Sequence, residues 1–152
     1  MAKIRVGDKA PDFSAKAQDG STIRLGDYLG QKAVVLFFYP KDNSPICTKE
    51  ACSFRDSYER FKEAGAEVIG VSSDSVQSHQ AFSKQYQLSF PLISDQDGSL
   101  RKLFGVSFAL GLLPGRSTYV IDEEGIVRLI FSAQFASVEH VQRALKAVST
   151  SE

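Results

Sequence analysis

The sequence predicts an α/β fold, in which a central mixed β-sheet is flanked by helices. Residues 33–39 form a continuous apolar run, which is typical of a strand buried on both faces. A helical stretch over about 45–64 separates this run from a second apolar segment at 67–73, which predicts a right-handed crossover between parallel strands. Residues 117–122 and 126–131 flank a turn with glycine, and this pattern predicts an antiparallel hairpin.

The remaining elements complete one folding unit. In chain order, they are a hairpin of residues 13–17 and 21–25, a helix from Asp74 or Ser75 to about Tyr86, a short strand at 90–93, a helix at 99–104, and a last helix at about 138–148. The order βαβ, helix, hairpin, helix matches a thioredoxin-like fold with an N-terminal β-hairpin added to it. No repeat or linker interrupts this order, so we expect a single domain over residues 1–152.

The composition excludes several classes of function. The chain has 152 residues, of which 43% are hydrophobic and 24% charged, and its 18 basic residues balance its 18 acidic ones. Because the net charge is zero, we expect neither a nucleic acid nor a membrane as partner. No apolar run approaches the roughly 20 residues of a membrane span, and the N-terminus has no signal-peptide pattern. We therefore expect a cytoplasmic protein, or a plastid protein if a transit peptide has been removed.

The cysteines and histidines give no sign of a metal site. Cys47 and Cys52 are the two cysteines, and their spacing fits neither a disulfide framework nor a C-x-x-C pair. His79 and His140 lie far from them in sequence and lack the spacing of zinc ligands. Both histidines are predicted to be solvated residues on helices.

The segment before Cys47 has the signals of a helix start. Ser44 is placed at the N-cap and Pro45 at the first helical position, so Cys47 falls in the first turn. Free backbone N–H groups and the helix dipole favour a thiolate there. A buried cysteine is also commonly a small apolar residue without chemistry. The second cysteine, five residues later, favours a redox site over that interpretation.

Helical periodicity places the two cysteines on different faces. At about 100° per residue, Cys47 belongs to an inward stripe. The other members of this stripe are Ala51, Phe54, Tyr58 and Phe61. Cys52 lies about 140° away, near acidic side chains that disfavour its thiolate. Residues five apart on an ideal helix have Cα atoms about 8.5 Å apart, whereas a disulfide needs less than about 7 Å. We therefore expect the helix to unwind locally before the two sulfurs join.

A family resemblance rests on these same residues. The pattern Pro40-x-x-x-Ser44-x-x-Cys47 resembles the active-site motif of the peroxiredoxins. The strings at 38–42 and 47–52 are similar to the peroxiredoxin Q branch, also called bacterioferritin comigratory protein. Segments 7–13 and 113–122 extend the likeness over nearly the whole chain.

The resemblance implies a role for each matching residue. Cys47 would be the peroxidatic nucleophile that becomes a sulfenic acid, and Cys52 would resolve it as an intramolecular disulfide. Ser44 would hydrogen-bond the peroxide, Arg116 would stabilise the thiolate and the leaving oxygen, and Pro40 would shield the pocket. From its position alone, Arg116 would be predicted as a solvated charge.

The resemblance also implies the substrates and partners. Hydrogen peroxide and alkyl hydroperoxides would be the substrates, and thioredoxin would supply electrons by thiol–disulfide exchange. No metal, haem or flavin would be required, and the branch implies a monomer. Two departures stand out: Ser44 replaces the commoner threonine, and Ile46 occupies a position where this branch often has glycine. A β-branched residue there is expected to stiffen the first turn or narrow the pocket.

Two other classes of function stay open at the level of sequence. A thiol–disulfide oxidoreductase acting on proteins would use the same two cysteines, although it usually has a C-x-x-C pair. A redox sensor would form the disulfide and change shape without turnover.

Overall fold

The computed structural model describes residues 4–106, 108–109, 113–114, 116–133 and 137–149. The strands are β1 (Ser14–Lys16), β2 (Thr22–Arg24), β3 (Ala33–Phe38), β4 (Ala66–Ser72), β5 (Leu92–Ser94), β6 (Phe108–Ala109), β7 (Leu113–Pro114), β8 (Ser117–Ile121) and β9 (Val127–Ser132). The helices are α1 (Pro45–Asp56), α2 (Tyr58–Glu63), α3 (Val76–Tyr86), α4 (Ser99–Phe104) and α5 (Ser137–Ser149), and a 3-10 turn covers Leu25–Tyr28.

A mixed sheet of five strands, in the order β5-β4-β3-β8-β9, forms the centre of the fold. β3 pairs in parallel with β4, and β4 pairs in parallel with β5, as the helical crossovers require. β8 is antiparallel to β3, and β9 is antiparallel to β8. The mixed sheet and the N-terminal hairpin of β1 and β2 confirm the predicted fold class.

The two faces of the sheet carry separate cores because side chains alternate along β3. Val35 and Phe37 point toward the side that α1, α2, α3 and α5 cover, and Cys47 lies in this core. Val34, Leu36 and Phe38 point toward the opposite side, where residues of the 3-10 turn and of α4 cover them. With both faces covered, β3 is apolar throughout, which explains the uninterrupted run in the sequence.

Two element boundaries differ from the sequence prediction. The single helix expected over 45–64 is two helices, with Ser57 between them at φ −100° and ψ 2°. Serine has a low helix propensity, although the Ser57 N–H still donates to a carbonyl of α1. The strand expected at 90–93 is Leu92–Ser94, because Pro91 lacks an N–H for pairing. Within the described residues no helix is both long and apolar enough to cross a membrane.

The prediction that both histidines are solvated is wrong. His79 and His140 have no exposed surface. Nδ1 of His79 lies 2.7 Å from Oδ2 of Asp42, and Nε2 lies 2.9 Å from the carbonyl oxygen of Ile93. Because that carbonyl can only accept, Nε2 carries a hydrogen, and Nδ1 and the carboxyl oxygen of Asp42 share a second hydrogen bond. Both ring nitrogens of His79 therefore have hydrogen-bond partners, which offsets the free-energy cost of burying these polar groups.

The same aspartate fixes the loop between β3 and α1. Asp42 also accepts hydrogen bonds from the hydroxyls of Tyr39 at 2.6 Å and Ser78 at 2.8 Å. Its own N–H donates to Asp74 at 2.8 Å. These bonds join the carboxyl end of β3 to the start of α3, whose N-cap is Ser75, one of the two residues predicted for that position. The loop that leads to Cys47 is therefore held in place by contacts with β3 and with the start of α3.

Candidate active site

Cys47 lies in the first turn of α1, at the carboxyl end of β3. Its side chain is 1% exposed, and the inward stripe predicted for this helix is buried with it. Pro45 occupies the start of α1 and Ser44 is at the N-cap position, as predicted, with an extended backbone. The hydroxyl of Ser44 does not cap the helix; it donates to the carbonyl oxygen of Lys41 at 3.0 Å. The backbone position of Ser44 thus agrees with the prediction, whereas its side-chain contact does not.

Arg116 is buried against Cys47. Nη2 of its guanidinium donates to Sγ of Cys47 at 3.1 Å, and the residue is 3% exposed. The position follows from the sheet, because Ser117 at the start of β8 pairs with Phe38 at the end of β3. The prediction from position alone, a solvated arginine, is therefore wrong, and the contact with Cys47 agrees with what the resemblance implied.

Glu50 is a member of the site that the sequence did not indicate. It is fully buried, and its Oε1 accepts a hydrogen bond from Nη1 of Arg116 at 2.6 Å. Glu50 lies three positions after Cys47, so both side chains lie on the same side of α1, about 60° apart. The guanidinium thus joins the sulfur and the carboxyl through its two terminal nitrogens.

Burial and charge act against each other at this ion pair. Burial raises the pKa of Glu50 to about 7, although the guanidinium of Arg116 works in the opposite direction. Burial by itself would lower the pKa of Arg116, but Glu50 and Cys47 together raise it. The arginine therefore stays charged, whereas the carboxyl changes its protonation near neutral pH.

His140 closes the far side of the site. Its Nδ1 lies 3.6 Å from Oε2 of Glu50 and 2.8 Å from Oγ1 of Thr118. Its Nε2 lies 2.8 Å from the carbonyl oxygen of Ala133. Burial lowers the pKa of His140 to about 4, and the charge of Arg116 acts in the same direction. The imidazole is therefore neutral at physiological pH.

A second arginine lies close enough to act on Cys47 through its charge. Nη2 of Arg101 donates to the carbonyl oxygen of Tyr39 at 3.2 Å, directly before Pro40. Burial lowers the pKa of Arg101, whereas Asp95 and Cys47 oppose this effect. The sequence contained no signal for this residue, since it stands next to the exposed Lys102 on a short helix.

The structure does not bring every predicted residue to the sulfur. Cys52 is partly exposed on α1, and both cysteines are free. Pro40 is partly buried between the end of β3 and the loop. Two of the five predicted residues, Cys47 and Arg116, are therefore in direct contact.

The described residues contain one group with the composition of a metal site. Ligand atoms of Asp42, Asp74 and His79 lie within 4.8 Å of one another. Each of these side chains already takes part in the hydrogen bonds that anchor the loop before α1. These contacts account for the cluster without a metal ion.

The geometry suits a nucleophilic sulfur whose reaction develops negative charge. The helix start and Arg116 both favour a thiolate at Cys47. The same guanidinium is available to an anionic oxygen that leaves beside the sulfur. The buried core around Cys47 strengthens both interactions by excluding water.

Comparison with protein families and curated proteins gives consistent matches. The model of the AhpC/TSA family matches residues 6–130. A chloroplastic peroxiredoxin Q from Populus jackii is 51% identical over 147 residues, which are 96% of this chain and 68% of that protein. A chloroplastic peroxiredoxin Q from Sedum lineare is 50% identical and is covered over 78% of its length.

Solved structures share the whole fold. Peroxidoxin BcpB from Mycobacterium tuberculosis superposes with a TM-score of 0.90 at 37% identity, over 98% of this chain and 99% of that one. The bacterioferritin comigratory protein of Xanthomonas campestris, solved as a trapped intermediate and ligand complex, gives a TM-score of 0.80 at 34% identity. That match covers 91% of this chain and 92% of the other.

Proposed function

The chain belongs to the AhpC/TSA family and, within it, to the peroxiredoxin Q branch, so it is a thiol peroxidase, and on this premise we propose which residues perform the reaction. Cys47 is the peroxidatic nucleophile. The observation that carries this assignment is the hydrogen bond of 3.1 Å from Arg116 to its buried sulfur, at the start of α1. A thiolate held by a guanidinium at a helix N-terminus is the form of cysteine that attacks an electrophile.

The first chemical step breaks the O–O bond of the peroxide. The thiolate of Cys47 attacks one oxygen to form a sulfenic acid, and the other oxygen leaves as water or an alcohol after it takes a proton. Arg116 stabilises the negative charge that develops on the leaving oxygen. The hydroxyl of Ser44 turns from the carbonyl of Lys41 to bind the peroxide, and Pro40 shields the pocket from water.

The second step joins the two cysteines. The thiolate of Cys52 attacks the sulfenic sulfur, the S–O bond breaks, and the hydroxyl leaves as water. The first turns of α1 unwind for this step, because the helical spacing of the two residues exceeds the span of a disulfide. Thioredoxin then reduces the disulfide by thiol–disulfide exchange.

The partners follow from the same proposal. Hydrogen peroxide and alkyl hydroperoxides are the substrates; alkyl peroxide reduction is an activity of the bacterioferritin comigratory protein of Xanthomonas campestris. The enzyme acts as a monomer, with no nucleic acid or membrane as partner. Of the two locations that we expected, the cytoplasm and the plastid, the second is favoured by the chloroplastic relatives.

The test is peroxide turnover with thioredoxin, thioredoxin reductase and NADPH. The wild type is expected to turn over continuously, Cys47→Ser is expected to be inactive, and Cys52→Ser is expected to stop after one turnover. Turnover with glutathione in place of thioredoxin would contradict the proposed reductant. Reduction of protein disulfides without peroxide consumption would instead indicate an oxidoreductase, and oxidation without turnover would indicate a sensor.

A further inference from the structure

Arg116 is a single cation that serves two buried acidic groups. Its guanidinium donates to Sγ of Cys47 at 3.1 Å and to Oε1 of Glu50 at 2.6 Å. If both groups were ionised, two anions would share one cation in a region that excludes water. Arg101 contributes a second positive charge near Cys47, but the negative charge of Asp95, which also interacts with Arg101, offsets it. The site would then hold one excess negative charge, which is expensive to bury.

The second oxygen of Glu50 indicates how this excess is avoided. Oε2 is buried and has no hydrogen-bond partner among the residues that the structure describes. It lies 3.6 Å from Nδ1 of His140. A carbonyl oxygen only accepts, so the contact with Ala133 places the hydrogen of the neutral imidazole on Nε2. Nδ1 is then an acceptor. Oε2 of Glu50, which faces it, can form a hydrogen bond with Nδ1 only if this oxygen carries a proton.

Thr118 is compatible with this arrangement. Its hydroxyl lies 2.8 Å from the same Nδ1, which carries no hydrogen, so the hydroxyl can only donate to it, and it turns away when the proton of Glu50 takes that position. A small movement of Glu50 toward His140 brings Oε2 within hydrogen-bond distance. The buried cluster thus has a place for one proton on the side of Arg116 that faces away from the sulfur.

We propose that Glu50 holds a proton on Oε2 while Cys47 is a thiolate, and that His140 positions this proton by accepting its hydrogen bond. The inference rests on the proposed role of Cys47. When the thiol ionises, the S–H bond breaks and the proton is taken up by the Glu50 carboxylate through solvent exchange. When the sulfur loses its negative charge, the Glu50 carboxyl ionises again and pairs with Arg116.

The proton balance of the first catalytic step is then closed within the site. The thiolate attacks the peroxide, an S–O bond forms, the O–O bond breaks, and the leaving oxygen departs as an anion. The proton released by Glu50 neutralises this anion, which leaves as water or an alcohol. Arg116 therefore has one anionic partner at a time, the sulfur before the reaction and the carboxylate after it.

The surrounding charges support this assignment. Glu50 faces Cys47 from α1, Arg116 from the start of β8, and His140 from α5. Burial raises the pKa of this carboxyl to about 7, despite the opposing charge of Arg116. Burial lowers the pKa of His140 to about 4, the charge of Arg116 acts in the same direction and Glu139 opposes it, so the imidazole is neutral and its Nδ1 accepts a hydrogen bond.

The test counts protons during alkylation of Cys47 in the Cys52→Ser background, in weakly buffered solution at neutral pH. Iodoacetamide consumes a thiolate without taking up or releasing a proton, and the thioether that it forms does not ionise. The parent protein is expected to show thiolate absorbance in the far ultraviolet and to release at least about half a proton per alkylated Cys47, because a carboxyl with a pKa of about 7 is about half ionised at neutral pH. Glu50→Gln is expected to show the thiolate and to release none. Glu59→Gln, which changes an exposed carboxylate, is expected to behave like the parent.

Two results overturn the inference: no proton released by the parent, or no thiolate absorbance before alkylation. An infrared difference spectrum gives a second measurement that does not depend on the Glu50→Gln variant folding. A protonated-carboxyl band is expected in the reduced parent and should disappear on alkylation; its absence also contradicts the proposal. His140→Phe should shift this band, and an unshifted band would remove His140 from the account.

These results are separable from the proposed function. Fast oxidation of Cys47 by peroxide, together with no proton release, would defeat the inference and leave the peroxidase assignment standing. Normal proton release with no reaction toward peroxide would contradict the peroxidase assignment and leave the inference about the proton of Glu50 standing.

Discussion

The guanidinium of Arg116 organises the site at the scale of single residues. Its planar fork donates to the sulfur of Cys47 with one nitrogen and to Glu50 with the other. A lysine carries the same charge on one nitrogen and cannot hold this two-pronged geometry. The orientation of the arginine therefore depends on the carboxyl as much as on the charge of the sulfur.

Replacement of Arg116 by lysine tests this geometry. Arg116→Lys should lower the rate at which peroxide oxidises Cys47 by on the order of 10²-fold, the usual effect of losing one donor to a developing charge. The rate is measured by competition with a reporter peroxidase. Arg143→Lys, on the exposed face of α5, is the matched control and should leave the rate unchanged. Equal rates in the two variants would show that charge alone suffices.

The pKa of Glu50 gives a prediction about stability. Its folded-state pKa of about 7 lies above the ordinary value of 4.5, so its contribution to stability is complete below pH 4.5 and is lost as the pH rises through 7. In a Cys47→Ser background, the free energy of unfolding should fall by up to roughly 3 kcal/mol between pH ~5 and pH ~8 relative to Glu50→Gln. Urea unfolding at the two pH values measures this difference.

His140 makes the opposite contribution, and the comparison removes it. Its folded-state pKa of about 4 lies below 6.5, so its stabilisation is present above pH 6.5 and is lost as the pH falls through 4. Both variants of the pair retain this histidine, so it does not affect their difference to first order. If the protein with Glu50 instead became more stable relative to Glu50→Gln as the pH rises, the assignment of the raised pKa to Glu50 would be contradicted.

The sequence revealed some of these residues and hid others for a physical reason. Cys47 could be placed by the helix-start signals before it, and Arg116 only by the family resemblance. Glu50 and His140 were not indicated, because polar residues on amphipathic helices are normally exposed. Their burial depends on partners that only folding brings near, such as an arginine 66 positions from Glu50.

At the scale of elements, the proposed reaction requires α1 to hold Cys47 in place for attack on the peroxide and then to unwind for the disulfide with Cys52. The helix is continuous over Pro45–Asp56 in the reduced protein, and Glu50 ties its second turn to β8. Formation of a disulfide with Cys52 has to break this regular geometry. The hydrogen bond of Glu50 with Arg116 therefore lies within the segment that we propose to unwind.

Amide hydrogen exchange tests the predicted unwinding. Amides of residues 45–55 should lose protection when the protein is oxidised by one equivalent of peroxide, since their helical hydrogen bonds open. The Cys52→Ser variant, which cannot form the disulfide, should keep its protection under the same treatment. Equal protection of these amides in reduced and oxidised wild type would show that α1 does not unwind on oxidation.

The loop before α1 gives a contrasting prediction, because it is anchored by the buried hydrogen-bonded pair of His79 and Asp42. His79→Phe leaves Asp42 buried without its imidazole partner and should lower the free energy of unfolding by about 3–5 kcal/mol. Asp42→Asn added to this variant should recover part of the loss. Ser78→Ala removes one neutral donor to the same aspartate and should cost only about 1 kcal/mol in urea unfolding.

Element prediction from the sequence succeeded where periodicity was strong. The apolar run of β3 and the hairpin of β8 and β9 were placed within one residue of their observed ends. The break at Ser57 was not predicted, because the apolar stripe continues through it from α1 to α2. Periodicity reports which face is buried, and it is insensitive to a single residue with altered dihedral angles.

At the scale of the whole molecule, the sheet order brings the site together. Placing β8 antiparallel beside β3 puts the start of one strand next to the end of the other. Arg116 and the loop to Cys47 meet at that edge, although 69 positions separate the two residues. The crossover rule predicted the parallel pairing of β3 and β4, whereas the position of β8 beside β3 required the fold analogy.

The most direct test of the central claim is the neutral-pH rate at which hydrogen peroxide oxidises Cys47, measured by competition with a reporter peroxidase. Free thiols are counted afterward in the wild type and in Cys52→Ser. We expect a rate orders of magnitude above that of the denatured chain, with two thiols lost per peroxide in the wild type and one in the variant. A rate equal to that of the denatured chain would contradict the account, because the helix start and Arg116 would then fail to activate Cys47.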